Sequence, residues 1–166
     1  APSELERTSL RTRVDDAVCA IRSANEEGIV AGGGVALVRV YQQLVERLEA
    51  PSKNHDLLVP NGRDDRAGIE IVINSLLEPM KTIAEVGGES GDVRVHEALA
   101  EKADSPLGYN YWTRKTEDLF AAGIVDPAKV VRLCVENAVS VVGELLRTRA
   151  TITDMPDIDD GAIAGM

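Results

Sequence analysis

Apolar residues recur three and four positions apart in several long segments, and this spacing decides the fold class of the chain. In the segment Ser3–Glu27, it places Leu10, Val14 and Ile21 on one face of a helix. The same spacing continues in three further segments: Val35–Leu48, Ile69–Ile83 and Val130–Leu145. Aromatic residues make up only 3% of the 166 residues, so the core must be aliphatic. We therefore predict a mainly α-helical fold with minor short β-strands.

Glycine and proline residues mark where these helices begin, break and end. Gly28 ends the first helix, and Pro79 predicts a kink or break near Glu78. The pair Asp126-Pro127 predicts an N-cap followed by the first residue of the last helix. We also predict shorter helices at Val93–Ala103 and Thr116–Ala122, loops at Pro51–Arg63 and Asp104–Thr113, and a brief strand at Thr151–Thr153.

The excess of acidic residues argues against some classes of binding partner. The chain has 18 Lys and Arg residues against 28 Asp and Glu residues, giving a formal net charge of −10. Such a chain disfavours nucleic acid and an anionic membrane as partners, and it has no stretch apolar enough to span a bilayer. Cys19 and Cys134 are far apart and are typical of small buried apolar residues in a reducing compartment, so we expect a cytoplasmic location. His55 and His96 are isolated, which argues against a metal site.

Three short clusters are candidates for a functional site, and each also has a purely structural interpretation. Gly32–Gly34 precedes a helix, where backbone N–H groups can meet a phosphate or a ribose, but glycines there also serve a tight backbone path. Asp15 and Asp16 fit a solvated charged helix face on spacing alone. Tyr109–Trp112 could present an aromatic surface to a base or plug the core under a loop. The sequence contains neither a P-loop nor a GxGxxG motif.

Longer segments, taken in order, resemble one protein family. They are RVDDAVCAIRSANEEGIVAGGGVALVRV (residues 13–40), GIEIVINSLLEPMKTIAEVGGE (68–89), GYN (108–110), AGIVDPAKVVRLCVENAVSVVGELLRT (122–148) and ATITDMP (150–156). In these segments the chain is similar to the group I (Hsp60-type) chaperonins. The blocks EEGIVAGGGVAL and GIVDPAKVVR are highly specific, and the resemblance covers nearly the whole chain.

The resemblance implies a domain organisation. Residues 1–27 would form the C-terminal part of the intermediate domain, with its long helix. Residues 28–153 would form the C-terminal part of the equatorial domain, an ATP-binding and ring-forming helical bundle, and residues 154–166 a flexible acidic Gly/Met tail. A hinge would fall around Gly28–Gly32. We therefore expect either a fragment of a longer chaperonin or a free-standing truncated protein.

The resemblance also implies roles for individual residues in an ATP-driven protein-folding machine. Asp16 matches the catalytic aspartate that positions or activates the water attacking the γ-phosphate. The nucleoside would be contacted by Gly32 and Gly33 along the ribose and adenine, by Asn110 at the base edge, by Ile124 on the adenine and by Asp126 at a ribose hydroxyl.

Parts of the family's machinery have no match in this sequence. The phosphate-binding Gly-Asp-Gly-Thr-Thr-Thr loop, a lysine and the magnesium-binding aspartate belong to the other equatorial half, and the apical domain that binds unfolded clients and the cochaperonin is also unmatched. ATP and Mg²⁺ are thus the implied cofactors, with the Mg²⁺ ligand supplied from outside these residues. The implied assembly is a homo-oligomeric seven-membered ring. Tyr111 and Trp112 stand where the family has small residues beside the base, and their bulk would obstruct adenine or stack on it.

Two hypotheses for function follow. In the first, the chain is part of a chaperonin ATPase, and the isolated 166 residues are inactive because no cation or amide cradle meets the γ-phosphate. In the second, it is a non-catalytic chaperonin-derived module that self-associates or joins a full-length paralogue. In both, we expect apolar helix faces such as Ile69, Val72 and Ile73 to be exposed and to favour association.

Overall fold

The computed structural model describes residues 3–49 and 62–150, and helices dominate in this part of the chain. The helices are α1 (Glu4–Glu27), α2 (Val35–Glu49), α3 (Arg63–Ser75), α4 (Glu78–Val86), α5 (Gly91–Ala100) and α6 (Ala128–Arg147). The strands are β1 (Ile29–Ala31), β2 (Leu107–Asn110), β3 (Lys115–Asp118) and β4 (Val125–Pro127). The mainly α-helical fold with minor short strands is confirmed. The predicted strand at Thr151–Thr153, the acidic tail and residues 51–61 of the predicted loop lie outside the described residues.

Helix α1 begins and ends as its sequence predicts. The Ser3 side chain accepts a hydrogen bond from the Glu6 backbone, and the Glu6 carboxylate accepts one from the Ser3 backbone, which forms a capping box. Gly28 ends the helix with a φ of 83°, a conformation that favours glycine. The apolar face of α1 is not covered by other elements, because none of the residues of α1 is buried and Leu10 is 58% exposed.

The predicted break near Glu78 is confirmed, and it separates α3 from α4. Leu76 and Leu77 form the break and are both buried, while Pro79 lies in the first turn of α4, where its missing N–H costs no helical hydrogen bond. Ile73, expected to be exposed, is only 4% exposed and belongs to the core.

The segment Asp104–Ala122 contains the main error of the sequence prediction. Instead of an irregular stretch followed by a helix at Thr116–Ala122, β2 and β3 form an antiparallel hairpin in which Leu107 faces Asp118 and Asn110 faces Lys115. The chain then turns, so that the Ile124 N–H donates to the Leu119 carbonyl. Helix α5 also spans Gly91–Ala100 rather than Val93–Ala103.

Strands β1 and β4 form a second antiparallel pair. Ile29 faces Pro127, Val30 faces Asp126, and Ala31 faces Val125. Asp126 is therefore a strand residue and not the N-cap predicted from the Asp-Pro pair, since α6 begins only at Ala128. The prediction failed because Pro127 tolerates the end of a short edge strand as well as the first turn of a helix.

The core lies between α2, α4, α5 and the β2–β3 hairpin. Its most deeply buried large side chains are those of Val35, Val38, Met80 and Leu119. One charged residue joins them: the Arg39 guanidinium, 8% exposed, donates hydrogen bonds to the backbone carbonyls of Ala98 (2.6 Å), Leu107 (2.9 Å) and Ser105 (3.2 Å). Arg39 thus ties α2 to the segment that connects α5 with the hairpin.

The chain divides into two compact units, residues 1–132 and residues 133–166. In the second unit, the described residues are mostly the remainder of α6, which exposes large apolar side chains at Val139, Val141, Val142, Leu145 and Leu146. Cys19 and Cys134 are exposed, so the expectation that both are buried is wrong. Among the described residues, no helix has the length and hydropathy needed to cross a membrane.

Candidate functional site

The glycine turn between β1 and α2 packs directly on the residue that precedes β4. The Gly32 N–H donates to the Ile124 carbonyl at 3.0 Å, and a Cβ atom at Gly32 would lie 3.2 Å from the Ile124 backbone. Only glycine therefore fits this approach without displacing its neighbour. The β1–β4 pairing thus brings Gly32, Ile124 and Asp126 to one end of a two-stranded sheet.

The two following glycines have opposite surroundings. Gly33 and Gly34 adopt positive φ values of 64° and 81°. A Cβ at Gly34 would lie 2.8 Å from the Met80 Cα, whereas a Cβ at Gly33 would meet no atom within 4 Å. The turn is therefore closed against α4 on one side and open at Gly33. A bare backbone with an open face can accommodate a ligand at close range.

Asp126 brings a carboxylate to the middle position of the same two-stranded sheet. Its backbone pairs with Val30, and its side chain is half-buried. Within the described residues, the carboxylate makes no hydrogen bond or ion pair, and burial raises the pKa of Asp126. Such a group gains from hydroxyl donors, because they replace the water that burial has removed. This is the chemistry that a ribose would supply.

The Asn110 side chain is engaged within the β2–β3 hairpin. Its Oδ1 accepts hydrogen bonds from the backbone N–H groups of Trp112 (2.9 Å) and Thr113 (3.3 Å), and its Nδ2 donates to Glu117 at 2.6 Å. None of the hydrogen bonds between described residues joins the Asn110 side chain to the glycine turn. The hairpin nevertheless approaches α2 at Gly108, where a Cβ would lie 2.6 Å from Val35.

Tyr111 and Trp112 have opposite environments. The Tyr111 ring packs edge-on against Tyr109 with 5.0 Å between the ring centroids, and its Cδ1 would lie 3.0 Å from a Cβ at Gly87. Burial raises the pKa of Tyr111. Trp112 is 95% exposed. The core-plug interpretation therefore holds for Tyr111 and fails for Trp112.

A polar and aromatic cluster holds the hairpin against the α4–α5 connection, and it was not predicted from the sequence. The Arg94 guanidinium lies 4.0 Å from the centroid of the Tyr109 ring. Glu89 accepts a hydrogen bond from the Tyr109 hydroxyl at 3.2 Å and lies 3.5 Å from Arg94 and 3.7 Å from Arg114. These residues come from separate elements, and no local motif relates them.

A protein-family sequence model described as the TCP-1/cpn60 chaperonin family matches residues 2–156. The chain belongs to this chaperonin family. Its role is therefore of the chaperonin type, in protein folding. Chaperonins of this family are generally ATP-dependent and generally form oligomeric rings.

Asp16 lies in the middle of α1, three turns before the end of the helix. It lies exposed on α1 and precedes Gly28 by about 18 Å of helix at 1.5 Å per residue. The neighbouring Asp15 lies 3.9 Å from Arg11, whereas Asp16 has no ion pair with any described residue. The distance between Asp16 and the glycine turn depends on the orientation of α1 at Gly28.

Two ion pairs fasten the C-terminal end of α1 to the start of α6. Glu26 pairs with Lys129, and the Glu27 carboxylate receives both Nε (3.0 Å) and Nη2 (2.6 Å) of Arg132. The Ala128 N–H also donates to the Gly28 carbonyl at 3.0 Å. Both carboxylates directly precede the glycine at which α1 ends.

The described part of this chaperonin chain contains no group of three or more His, Cys, Asp or Glu residues arranged to hold a metal ion. The residues around the glycine turn fit a nucleoside, because they combine an open backbone with a half-buried carboxylate acceptor. Gly32, Gly33, Ile124 and Asp126 thus lie on the β1–β4 pair and the residues that flank it, whereas no hydrogen bond or ion pair between described residues links Asn110 or Asp16 to them.

Proposed function

We propose that this chain is the C-terminal part of a group I (Hsp60-type) chaperonin ATPase. Residues 1–27 belong to its intermediate domain, residues 28–153 to its equatorial domain, and residues 154–166 to a flexible tail. The family match over residues 2–156 supports the chaperonin role, and the order of the sequence blocks supports the finer assignment. We place the complete protein in the cytoplasm.

The proposal depends mainly on the residues that would bind the nucleoside part of ATP. The single supporting observation is the β1–β4 pair, which joins the glycine turn to Ile124 and Asp126. In the proposed site, the ribose and adenine pass the open face at Gly33 and the Gly32 backbone. Ile124 packs on the adenine, and the Asp126 carboxylate accepts a hydrogen bond from a ribose hydroxyl. Asn110 lies at the edge of the base.

Asp16 supplies the hydrolytic carboxylate in this proposal. Phosphoryl transfer requires mainly positioning and electrostatic stabilisation, and a carboxylate can orient the attacking water and accept its proton. Because Asp16 lies well away from the glycine turn along α1, α1 must reorient about Gly28 to deliver it. The positive φ of Gly28 supports a hinge there, since glycine tolerates a wide range of backbone angles.

The phosphate and magnesium contacts come from residues outside this sequence. ATP and Mg²⁺ therefore bind productively only in the complete protein, and the 166-residue chain alone has no ATPase activity. In the complete protein, identical subunits form a seven-membered ring. Unfolded clients and a cochaperonin bind to the apical domain.

A second candidate function is a non-catalytic, chaperonin-derived module that associates with itself or with a full-length paralogue. The observation that favours it is the exposure of large apolar side chains on α6, such as Val141 at 60% and Leu146 at 82%. A helix with apolar residues on most of its surface is stable when another chain or domain covers it.

The intact mass of the native gene product in its source cells separates the two functions. We expect a subunit mass several-fold above 17.8 kDa and, by native mass spectrometry, a ring of identical subunits. A native subunit near 17.8 kDa would contradict the ATPase proposal and favour the module.

A further inference from the structure

The tip of the β2–β3 hairpin is held against the end of α4 by contacts at three points. The Tyr111 Cδ1 atom lies 3.0 Å from the position of a Cβ atom at Gly87. The Tyr109 hydroxyl donates to the Glu89 carboxylate at 3.2 Å, and Arg114 Nη1 lies 3.7 Å from the same carboxylate. The hairpin tip and the last turn of α4 therefore form one continuous surface.

This surface exposes two large apolar side chains, which we call the tip patch. Trp112, the single tryptophan of the chain, is 95% exposed, and Val86 is 87% exposed. They directly adjoin Tyr111 and Gly87, the two residues whose contact joins the hairpin to α4. Adjoining exposed apolar side chains mark an interaction surface, and tryptophan is the residue type most enriched where binding energy is concentrated.

Trp112 lies on a well-ordered turn. Asn110 Oδ1 accepts the backbone N–H groups of both Trp112 and Thr113, and the Arg114 N–H donates to the Asn110 carbonyl at 2.8 Å. The Thr113 hydroxyl and Asn110 Nδ2 both donate to the same oxygen of Glu117. Because the turn is already ordered, binding to the indole costs little further ordering of the backbone.

Charges of both signs border the tip patch and are little used within the chain. Glu85, which precedes Val86, is exposed and makes no hydrogen bond or ion pair with any described residue. The Arg114 side chain is 73% exposed and is paired only through its 3.7 Å contact with Glu89. A free carboxylate on α4 and a weakly paired guanidinium on the hairpin make the patch complementary to itself, since a two-fold axis brings each against the other.

We propose that the tip patch is a self-association surface through which two copies of this chain pair about a two-fold axis. In the pair, Trp112 of each copy packs against Val86 of the other copy, and Arg114 of each faces Glu85 of the other. The contact needs no nucleotide, so it goes beyond the proposed ATP site and does not depend on it.

The small area of the patch makes this contact weak. A tryptophan buries at most about 250 Å², so the patch and its charged border cover roughly 400 Å² per copy. A standard interface covers about 800 Å² per partner. We therefore expect a dimer with a dissociation constant on the order of 0.1 mM, which forms only at high protein concentration.

Trp112 emission and sedimentation velocity of the full chain test the contact together. Both are recorded from about 1 μM to about 1 mM protein, at a salt concentration that screens the repulsion between two chains of net charge −10. We expect dimer formation and a blue shift of the Trp112 emission that follow the same concentration dependence. Trp112→Ala weakens the dimer about tenfold, whereas Phe120→Ala, the other exposed aromatic at 45%, leaves it unchanged.

Charge reversal tests the two-fold arrangement. Arg114→Glu and Glu85→Arg each bring like charges together and weaken the dimer about tenfold, and the double variant restores it. Both side chains are exposed, so neither reversal disturbs the core. A double variant that dimerises no better than the single variants would overturn the arrangement.

Two other results would overturn the self-association itself. A chain that stays monomeric to about 1 mM with constant Trp112 emission would leave the tip patch to a partner of different sequence. Association with unchanged Trp112 emission, and undiminished in Trp112→Ala, would show that another exposed face such as that of α6 forms the contact. Neither result bears on nucleotide binding, so the proposed ATP site is tested separately.

Discussion

Glu27 binds Arg132 through both carboxylate oxygens, with Arg132 Nη2 donating to Oε1 at 2.6 Å and Nε donating to Oε2 at 3.0 Å. This paired geometry holds the last turn of α1 against the N-terminal part of α6, next to Gly28. A hinge at Gly28 can open only if this contact is weakened or broken.

The attachment of α1 depends on pH through Glu27. The hydrogen bond from Arg132 lowers the pKa of Glu27 below its ordinary value, so the attachment is complete above that ordinary value and is lost as the pH falls through the lowered one. Hydrogen exchange of the Gly28 and Ala128 amides measures the opening. We expect the protection factors of both amides to fall in acid, to be low at every pH in Glu27→Gln, and to be unchanged in Glu70→Gln, whose partner Arg66 lies within α3. Equal exchange in Glu27→Gln and the wild type at neutral pH would contradict the attachment.

The glycine turn tolerates a side chain at one position and not at the next. Gly34→Ala combines a positive φ with a Cβ 2.8 Å from the Met80 Cα, and we expect it to lower the free energy of unfolding by about 3 kcal/mol or more. Gly33→Ala meets no neighbouring atom and carries only the backbone strain, about 1–2 kcal/mol. Urea unfolding measures both. Similar losses in the two variants would show that the contact with α4 is not formed.

Arg39 stabilises the connection between α5 and the hairpin. Arg39→Met removes the guanidinium donor from the carbonyls of Ala98, Ser105 and Leu107 in a buried region, and we expect a loss of about 3–5 kcal/mol in the free energy of unfolding. Arg39→Lys keeps the charge but cannot reach all three carbonyls, so it recovers only part of the loss. Thermal unfolding of the two variants checks this order, and a loss below about 1 kcal/mol in Arg39→Met would contradict it.

The Asp126 carboxylate is expected to lower the stability of the fold and to strengthen nucleoside binding. Burial raises the pKa of Asp126, so the folded chain disfavours the ionised form. This penalty is absent below the pKa of the unfolded chain, grows as the pH rises through the raised folded value, and is constant above it. We expect Asp126→Asn to be more stable than the wild type at neutral pH, by a margin that shrinks in acid, and to bind adenosine about tenfold more weakly. An Asp126→Asn variant that is less stable than the wild type and binds adenosine with unchanged affinity would contradict both expectations.

Local signals predicted the helices well. Ser3 and Gly28 mark the two ends of α1, and Pro79 marks the start of α4, because capping and proline geometry act within a few residues. These elements could be predicted from short stretches of sequence without knowledge of the fold.

The strands escaped prediction because their stabilising contacts are distant in sequence. Asp126 is a strand residue only because Val30 pairs with it, and β2 depends on contacts of Gly108 with Val35 and Leu119. The resemblance to chaperonins predicted Gly32, Gly33, Ile124 and Asp126 as site residues, and the fold brings these four to one short two-stranded sheet and the residues that flank it. It could not indicate that Trp112 is exposed while Tyr111 packs inwards, because neither position lies in a segment that carries the resemblance.

ATP turnover by the complete native protein with Asp16→Asn tests the central proposal most directly. Asp15→Asn is the matched control, since Asp15 is the adjacent exposed carboxylate and contacts Arg11. We predict that Asp16→Asn binds ATP with normal affinity and loses turnover by about 100-fold or more, while Asp15→Asn remains active. Turnover of Asp16→Asn within about twofold of the wild type, at equal ATP binding, would contradict the assignment of Asp16 as the hydrolytic carboxylate.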